Sequence, residues 1–372
     1  FFHFFKKKNS IQINLYFDFE IMKDVLRYSV IDSCSYLFLT IFTAALNAFI
    51  GIRFGPEYLI LSSVITLSQE FQLLFDGVGV AICPIFSIYF GEQNHSGLRS
   101  SYKPANRTAI IEGILVTLFL IIIAPFVPGF LNIADAQLAR SVVICIQLTA
   151  LGYTFISLLY LLTSYYLVIE KILLGLITCA LRDVVFNLLF AVALGIAFGI
   201  TGMFIGLAIA PFTAYLLIMI YLRSRYGKED CPLLLSEVPG VKNSYMFNFS
   251  TDPKEIIEVQ GKIGTILEKS DVDKQTSGRV MLLIEEVFML IRQMNDNKAI
   301  LVECTVFILP DGIRIISKDE GVFFDMADEN VSTVSLSAYT VASYMEKLEL
   351  DNRHLVTMGF NRSTFFVRFP KL

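Results

Sequence analysis

Charge is scarce in this sequence: Asp, Glu, Lys and Arg make up 17% of its 372 residues, while 55% are hydrophobic. Soluble chains carry about a quarter charged residues. That shortage, with a mean hydropathy of +0.63, argues against an ordinary water-soluble protein. Histidine is also sparse, at three, and the six cysteines form no Cys-x-x-Cys pair. Most of Cys34, Cys83, Cys145, Cys179, Cys231 and Cys304 lie inside apolar runs, where free Cys packs as a small hydrophobe. Neither a metal centre nor a disulfide framework is expected. The chain opens Phe1-Phe2-His3, with no initiator Met and no secretory-signal layout, so it reads as a fragment or processed product.

The charge that is present is unevenly placed. It crowds into residues 228–372, whereas residues 1–226 are nearly uncharged outside their loops. Two domains in different solvents explain this better than one core, and the net charge of -4 averages two unlike halves. No nucleic-acid partner is expected.

A spanning helix needs roughly 20 mostly apolar residues. Six stretches qualify, at about 25–52, 57–90, 106–129, 137–167, 171–197 and 200–223. In the second, Asp76-Gly77-Val78-Gly79 and Pro84 predict a bend or loosened turn. Lys6, Lys7, Lys8, Lys23 and Arg27 precede the first stretch. Arg99, Lys103 and Arg107 follow the second, Lys171 the fourth, and Arg223, Arg225 and Lys228 the sixth, leaving Arg53 and Arg140 opposite. The positive-inside rule then puts both ends of the chain in the cytoplasm of a multi-pass, bacterial inner-membrane protein.

Polar side chains at lipid depth are costly and face a partner or a watery cavity. The candidates are Asp32, Asn47, Gln69, Glu70, Asp76, Glu112, Gln147, Arg182, Asp183 and Asn187. Asp32 and Glu70 either line an ion or substrate path or are structural, and Asp76 beside glycines can cap a helix break. Arg182 and Asp183, being adjacent, are expected to pair with other helices, for structure or for substrate. Glu112, a turn inside its helix, can snorkel to the interface. Desolvation disfavours the charged form of a carboxylate, which suits proton or sodium exchange.

The run Gly77–Ile85, then Phe90-Gly91-Glu92-Gln93-Asn94 and Leu98-Arg99, resembles a repeated feature of multidrug and toxic compound extrusion (MATE) exporters. Tyr165-Tyr166-Leu167-Val168-Ile169-Glu170-Lys171 is similar to that family's turn after the fourth helix. Arg182-Asp183 and Gly199-Ile200-Thr201-Gly202 with Gly206 are similar too. Six helices would be one lobe of a family built from two pseudo-symmetric lobes, so an N-terminal lobe is expected upstream. The resemblance implies efflux of small organic, often cationic, compounds coupled to sodium or proton flow. Asp32, Glu70, Asp76, Gln147, Arg182 and Asp183 would line the cation, proton or substrate path. The fourth helix offers Cys145, Gln147 and Thr149 but no carboxylate, a departure from the family's sodium-type pattern.

Past the sixth stretch the texture changes. Residues 227–240, with Cys231-Pro232 and Pro239-Gly240, read as a linker. Residues 244–249 alternate like a strand; 252–269 and 273–295 read as amphipathic helices. Leu301–Leu309 and Gly312–Lys318 form a hairpin around Pro310-Asp311-Gly312, and a helix at 334–347 precedes strands at 348–357 and 363–369. The expected architecture of 241–372 is an α/β sandwich, one sheet with helices on one face.

That order resembles the Bergerat (GHKL) ATP-binding fold of histidine kinases and anti-sigma-factor serine kinases. The resemblance rests on Leu282–Ile291 with Glu285-Glu286, on Asp319-Glu320-Gly321, on Ser335-Leu336-Ser337 and on Gly359-Phe360-Asn361. It implies a vestigial nucleotide pocket at Glu286, Leu290, Asp319, Gly321, Ser335, Ser337 and Asn361. Leu290 stands where the family's metal-holding Asn would be, and a carbon side chain cannot ligate magnesium. Ser335 and Ser337 replace the glycines that let backbone amides approach phosphates. No enzyme activity, resident metal or cofactor is therefore expected; weak ATP or ADP binding stays open. The reading is a MATE-like transporter lobe with a regulatory or interaction domain that binds a protein partner. The alternative is a membrane-anchored sensor of the anti-sigma-kinase type, with the transporter fold as receptor.

Overall fold

The computed structural model describes residues 19–228, 230–237, 243–326, 339, 349–355 and 359–369. Two compact units emerge, one of residues 1–88 with 101–234 and one of 89–100 with 235–372.

The first unit is helical. Its elements are α1 (Phe19–Arg53), α2 (Leu59–Gln69), α3 (Gln72–Gly91), α4 (His95–Ile123), the single turn α5 (Val127–Phe130), α6 (Ala136–Ala150), α7 (Tyr153–Val168), α8 (Ile172–Ala180) and α9 (Phe186–Tyr226). Among the described residues, Ser33–Arg53, Pro56–Gly91, His95–Phe130 and Ile172–Tyr226 are long and apolar enough to cross a membrane. The pair α6–α7, bent by 45°, makes a fifth. Phe42, Leu46 and Ile50, one turn apart on α1, pack with Val64, Phe75, Leu120, Ile146, Tyr153 and Phe204. The outer surface is apolar too: Ile52, Phe130, Leu173 and Phe198 are exposed, as helices solvated by lipid require.

The segment Ile172–Tyr226 has 55 residues, roughly 80 Å if straight. It is not straight, because Gly199 leaves helical geometry at φ 71°. A Cβ at Gly202 would lie 2.2 Å from Leu194 O, and one at Gly206 would lie 2.4 Å from Phe190 O. Residues eight and sixteen apart touch only if the chain folds back. Gly199 supplies a backbone conformation that other residues rarely adopt, and the two later glycines let the antiparallel arms meet without a side chain between them.

The expected bend at Gly77–Pro84 is not where the helix breaks. α3 runs through both glycines and Pro84; the interruption is at Glu70–Phe71, whose amides bond tightly back to Leu67 O and Ser68 O. Tyr153 Oη donates to Ser68 O at 2.6 Å, a second bond on the carbonyl that also accepts from Phe71 N. Gly79 serves packing instead, since a Cβ there would meet Ser164 Oγ of α7 at 2.3 Å. Beyond α9, Leu233 and Leu234 are buried, and Tyr165 and Tyr166 donate to Leu233 O and Pro232 O.

The second unit holds β1 (Ser244–Ser250), α10 (Pro253–Lys269), α11 (Lys274–Met294), β2 (Leu301–Leu309), β3 (Gly312–Asp319), β4 (Glu349–Leu355) and β5 (Phe360–Arg368). The described strands form one sheet of order β1-β2-β3-β5-β4, antiparallel throughout. Asp252 and Asp273 cap the two helices, accepting from Lys254 N and Thr276 N. Their apolar faces, including Ile256, Ile263, Val280, Leu283, Val287 and Ile291, cover Val302, Cys304, Val306, Ile313, Ile315, Phe365 and Val367. Burial pushes the Cys304 thiol up to about 12. Alternation sends Glu303, Thr305, Phe307, Ile316, Lys318 and Arg362 to the other face. That face is not bare: segment Tyr89–Ser100 belongs to this unit. The helix expected at 334–347 lies outside the described residues apart from Tyr339.

Candidate functional site

A cavity of about 370 Å3 opens in the first unit. α1 contributes Ser35, Tyr36 and Leu39, and the α2–α3 break contributes Gln69, Glu70, Gln72, Leu73 and Asp76. Tyr160 of α7 and Asp183 complete the lining. The break is what assembles this wall. Interrupting the helix at Glu70–Phe71 turns Gln69, Glu70, Gln72 and Leu73 towards one space, where an unbroken helix would spread them around its circumference.

Arg182 and Asp183 lie in a π-helical turn, Leu181–Val185, of the kind that recurs at functional sites. These neighbours pair with each other, and Arg182 also makes the expected contacts with other helices. Arg182 Nε reaches Asp183 Oδ1 at 2.6 Å and Nη2 reaches Oδ2 at 2.8 Å, a bidentate fork. The guanidinium is buried and stacks 3.5 Å from the Tyr160 ring centroid. It also donates to Ser35 Oγ at 3.2 Å, which in turn meets Cys179 Sγ at 2.8 Å. Asn187 Nδ2 donates to Arg182 O at 2.8 Å, satisfying a carbonyl that the π turn leaves open. Two buried atoms have no partner among the described residues, Arg182 Nη1 and Gln69 Oε1.

The electrostatic balance is one-sided. Glu70, Asp76 and Asp183 line the cavity, and Arg182 is the cation bonded at its wall. Its fork neutralises Asp183, so Glu70 and Asp76 are left to supply negative charge. Of the residues singled out from sequence, the structure gathers Gln69, Glu70, Asp76, Arg182 and Asp183 here. Gln147 is half-buried on α6 and does not line the cavity. Asp32 stands on α1 three residues before Ser35, but its side chain lies outside the described residues. Ser35, Tyr36, Gln72 and Tyr160 were not foreseen; Ser and Tyr are common in apolar helices, and Gln72 follows Gln69 and Glu70 across a break that the sequence does not mark. Glu112, expected to snorkel, has a buried Oε2 with no partner among the described residues.

In the second unit Asp319, Gly321 and Asn361 come together at the end of β3. Asp319 Oδ1 accepts from Gly321 N and Asn361 Nδ2, each at 2.9 Å, and Asn361 Nδ2 also reaches Gly321 O. His354 Nδ1 lies 2.7 Å from Asn361 Oδ1. Asn295 closes the cluster from α11, accepting from Val322 N at 2.8 Å. Burial holds the Asp319 carboxyl above the usual carboxylate range, opposed by the bonds from Asn361 and Gly321. Leu290 is fully buried in the core under the sheet, and Glu286 is half-buried on the same helix. Ser335 and Ser337 lie outside the described residues. No group of His, Cys, Asp and Glu suited to a metal occurs among the described residues.

No family model matches the sequence, and no curated protein matches it. Solved structures do. The chain is similar to a MATE protein crystallised in complex with MaL6, at 21% identity and a TM-score of 0.53, over 60% of this chain and 51% of that one. It is similar to a multidrug resistance MATE family transporter of the MOP superfamily in its outward-facing conformation, at 22% and 0.52, over 59% and 50%. A third is a MOP superfamily transporter from Pyrococcus furiosus, described as having a binding pocket of reverse polarity that suggests a different function, at 19% and 0.53, over 60% and 51%. The chain thus spans about half the length of the structures it matches. At these identities the likeness establishes a MATE-like fold, and with it a multi-pass membrane protein.

Proposed function

We propose that this chain is one lobe of a MATE-like secondary transporter, exporting small organic cations in exchange for protons or sodium. Six crossings follow if the Gly199 reversal divides Ile172–Tyr226 in two and the α6–α7 pair counts as one. Both ends are then cytoplasmic by the positive-inside rule, and a second lobe completes the central cleft. The observation that carries this reading is the cavity whose Glu70 and Asp76 carboxylates lack a basic partner among its lining residues. Negative charge at a cavity wall without a basic partner attracts a cation. Protonation from the other side of the membrane cancels that charge and releases it. Arg182 keeps Asp183 out of the exchange by neutralising it, and Tyr160 offers an aromatic face at the same wall.

The second unit is proposed as a regulatory module on a GHKL-type frame. Asp319, Gly321 and Asn361 bond to one another, and Leu290 is spent in the core. Both features support a role in protein contact over nucleotide chemistry, with weak ATP or ADP binding the residual possibility.

The test is thermal unfolding of the full chain in lipid nanodiscs with increasing tetraphenylphosphonium. A ligand that binds only the folded state stabilises it by mass action. Tm should rise with probe concentration in the native chain and stay level in Asp76→Asn. A native chain indifferent to the probe, or an Asp76→Asn response equal to the native one, contradicts the proposal.

A further inference from the structure

A second cavity of the first unit, of about 350 Å3, has the opposite chemistry to the polar one. Val64 of α2, Leu120 of α4 and Ile146 of α6 form its floor, and Leu67, Phe126 and Phe130 stand at its rim. Among its lining residues Ser68 carries the one polar side chain, and the bonding of that residue is internal. Ser68 Oγ donates to Ile65 O at 2.7 Å, and Ser68 O accepts from Phe71 N and Tyr153 Oη. No charged residue lines the recess among the described residues, so water inside it finds nothing to bond. Left empty, the wall would lack dispersion partners on one side. Hydrocarbon is the filling that removes both defects.

Two interruptions of the helices make this hollow. α2 stops at Gln69, and α4 gives way at Ile123 to a 3-10 turn, Ala124–Phe126, and then to the single turn α5. Straight helices in contact pack ridge into groove and leave no such gap. The hollow opens onto the apolar outer surface of the spanning helices: Leu67, Phe126 and Phe130 are 54%, 71% and 84% exposed, while Val64, Leu120 and Ile146 are buried. We propose that this recess is a binding site for one acyl chain of a bilayer phospholipid. The occupant follows from continuity, because the rim belongs to the surface that lipid solvates, and the floor gives a lipid tail contacts on more sides than a flat helix face does. A cationic compound finds neither a counter-charge nor a free hydrogen-bonding group in this wall. The α2–α3 break thus serves two surfaces, with Glu70 at the polar cavity and Leu67, Ser68 and Phe71 at the acyl-chain recess. This goes beyond the transport proposal and depends on the membrane fold alone, not on what is transported.

Photolabelling of the full chain in phosphatidylcholine nanodiscs tests it, with a small fraction of the phosphatidylcholine carrying a diazirine midway along one acyl chain. Labelled residues are located by mass spectrometry after proteolysis. Leu173 and Phe198, exposed on the same apolar surface but not lining the recess, report ordinary lipid contact. In the native chain, segments 64–71 and 120–131 should be labelled at least fivefold more than the segments around Leu173 and Phe198. Leu67→Trp places a larger side chain at the rim and should bring that labelling down to the control level. Equal labelling of recess and controls in the native chain means lipid solvation only and overturns the site. Labelling below the controls means that protein covers the recess, and overturns it as well. So does labelling in Leu67→Trp that stays at the native level. Should Leu67→Trp also alter labelling around Leu173 and Phe198, Ile123→Trp on α4 is read by the same criteria.

Discussion

Among the described residues two groups of charged side chains have opposite balances, one largely buried in the second unit and one at the open wall of a cavity in the first. In the second unit Glu92 and Glu303 meet Lys318 and Arg362, and each charge has a partner within 3.0 Å. At the cavity of the first unit Asp183 is answered by Arg182 at 2.6 Å, while Glu70 and Asp76 stand exposed at the wall with no basic residue in the lining. A closed network of buried charges is costly to break, because losing one member leaves another buried and unpaired, so it suits fixing one arrangement. An unanswered charge costs free energy until something binds it, so it suits a ligand that comes and goes. The proposed function accordingly places recognition at the cavity and a structural role at the closed network.

The comparison breaks most visibly at Lys318. Lys318→Met leaves Glu92 and Glu303 buried without their shared cation, an expected loss of about 3–5 kcal/mol, measured by chemical denaturation followed by circular dichroism. Arg182→Met strands Asp183 in the same way, but at a cavity edge that admits water. The expected cost is smaller, about 1–3 kcal/mol, in the same assay. If Arg182→Met costs more than Lys318→Met, the two clusters have been assigned the wrong way round.

Asp319 sharpens the contrast through pH. Its folded carboxyl titrates above the ordinary range because of burial, so its contribution is fully present at low pH and is lost as pH rises through the raised value. In Asp319→Asn the Oδ1 bonds from Gly321 and Asn361 are retained and the titration is gone. The stability gap in favour of the variant should therefore widen from pH 4 to pH 7 in urea melts. A gap that narrows would mean that the hydrogen bonds outweigh burial. The smallest stability effect belongs to Asp76→Asn, within about 0.5 kcal/mol of native, because no described partner is lost.

Much of the frame was legible in local pattern. Pro310-Asp311 between two apolar alternations marks the β2–β3 hairpin, and Val280, Leu283, Ile284, Val287, Phe288 and Ile291 mark the buried stripe of α11. Glu70, Asp76, Arg182 and Asp183 stood out because charges are rare in apolar helices. What escaped depends on contacts distant in sequence or on unusual backbone. At the α2–α3 break the Ser68 carbonyl is bonded by Tyr153, 85 residues away. The Arg182–Asp183 fork needs a π turn, which no side-chain periodicity announces. The cover on the sheet's second face comes from residues 89–100, more than 200 positions before the strands Glu92 grips; in sequence, Glu92 belongs only to a loop between two apolar stretches.

The central claim is that unanswered carboxylates make the cavity a cation site, and equilibrium binding of tetraphenylphosphonium tests it most directly. The native chain is compared in nanodiscs with Glu70→Gln/Asp76→Asn, both confirmed folded. The account predicts that affinity falls at least a hundredfold in the double variant, about 2.7 kcal/mol at 1.4 kcal/mol per decade. Equal affinity in the two proteins would contradict it.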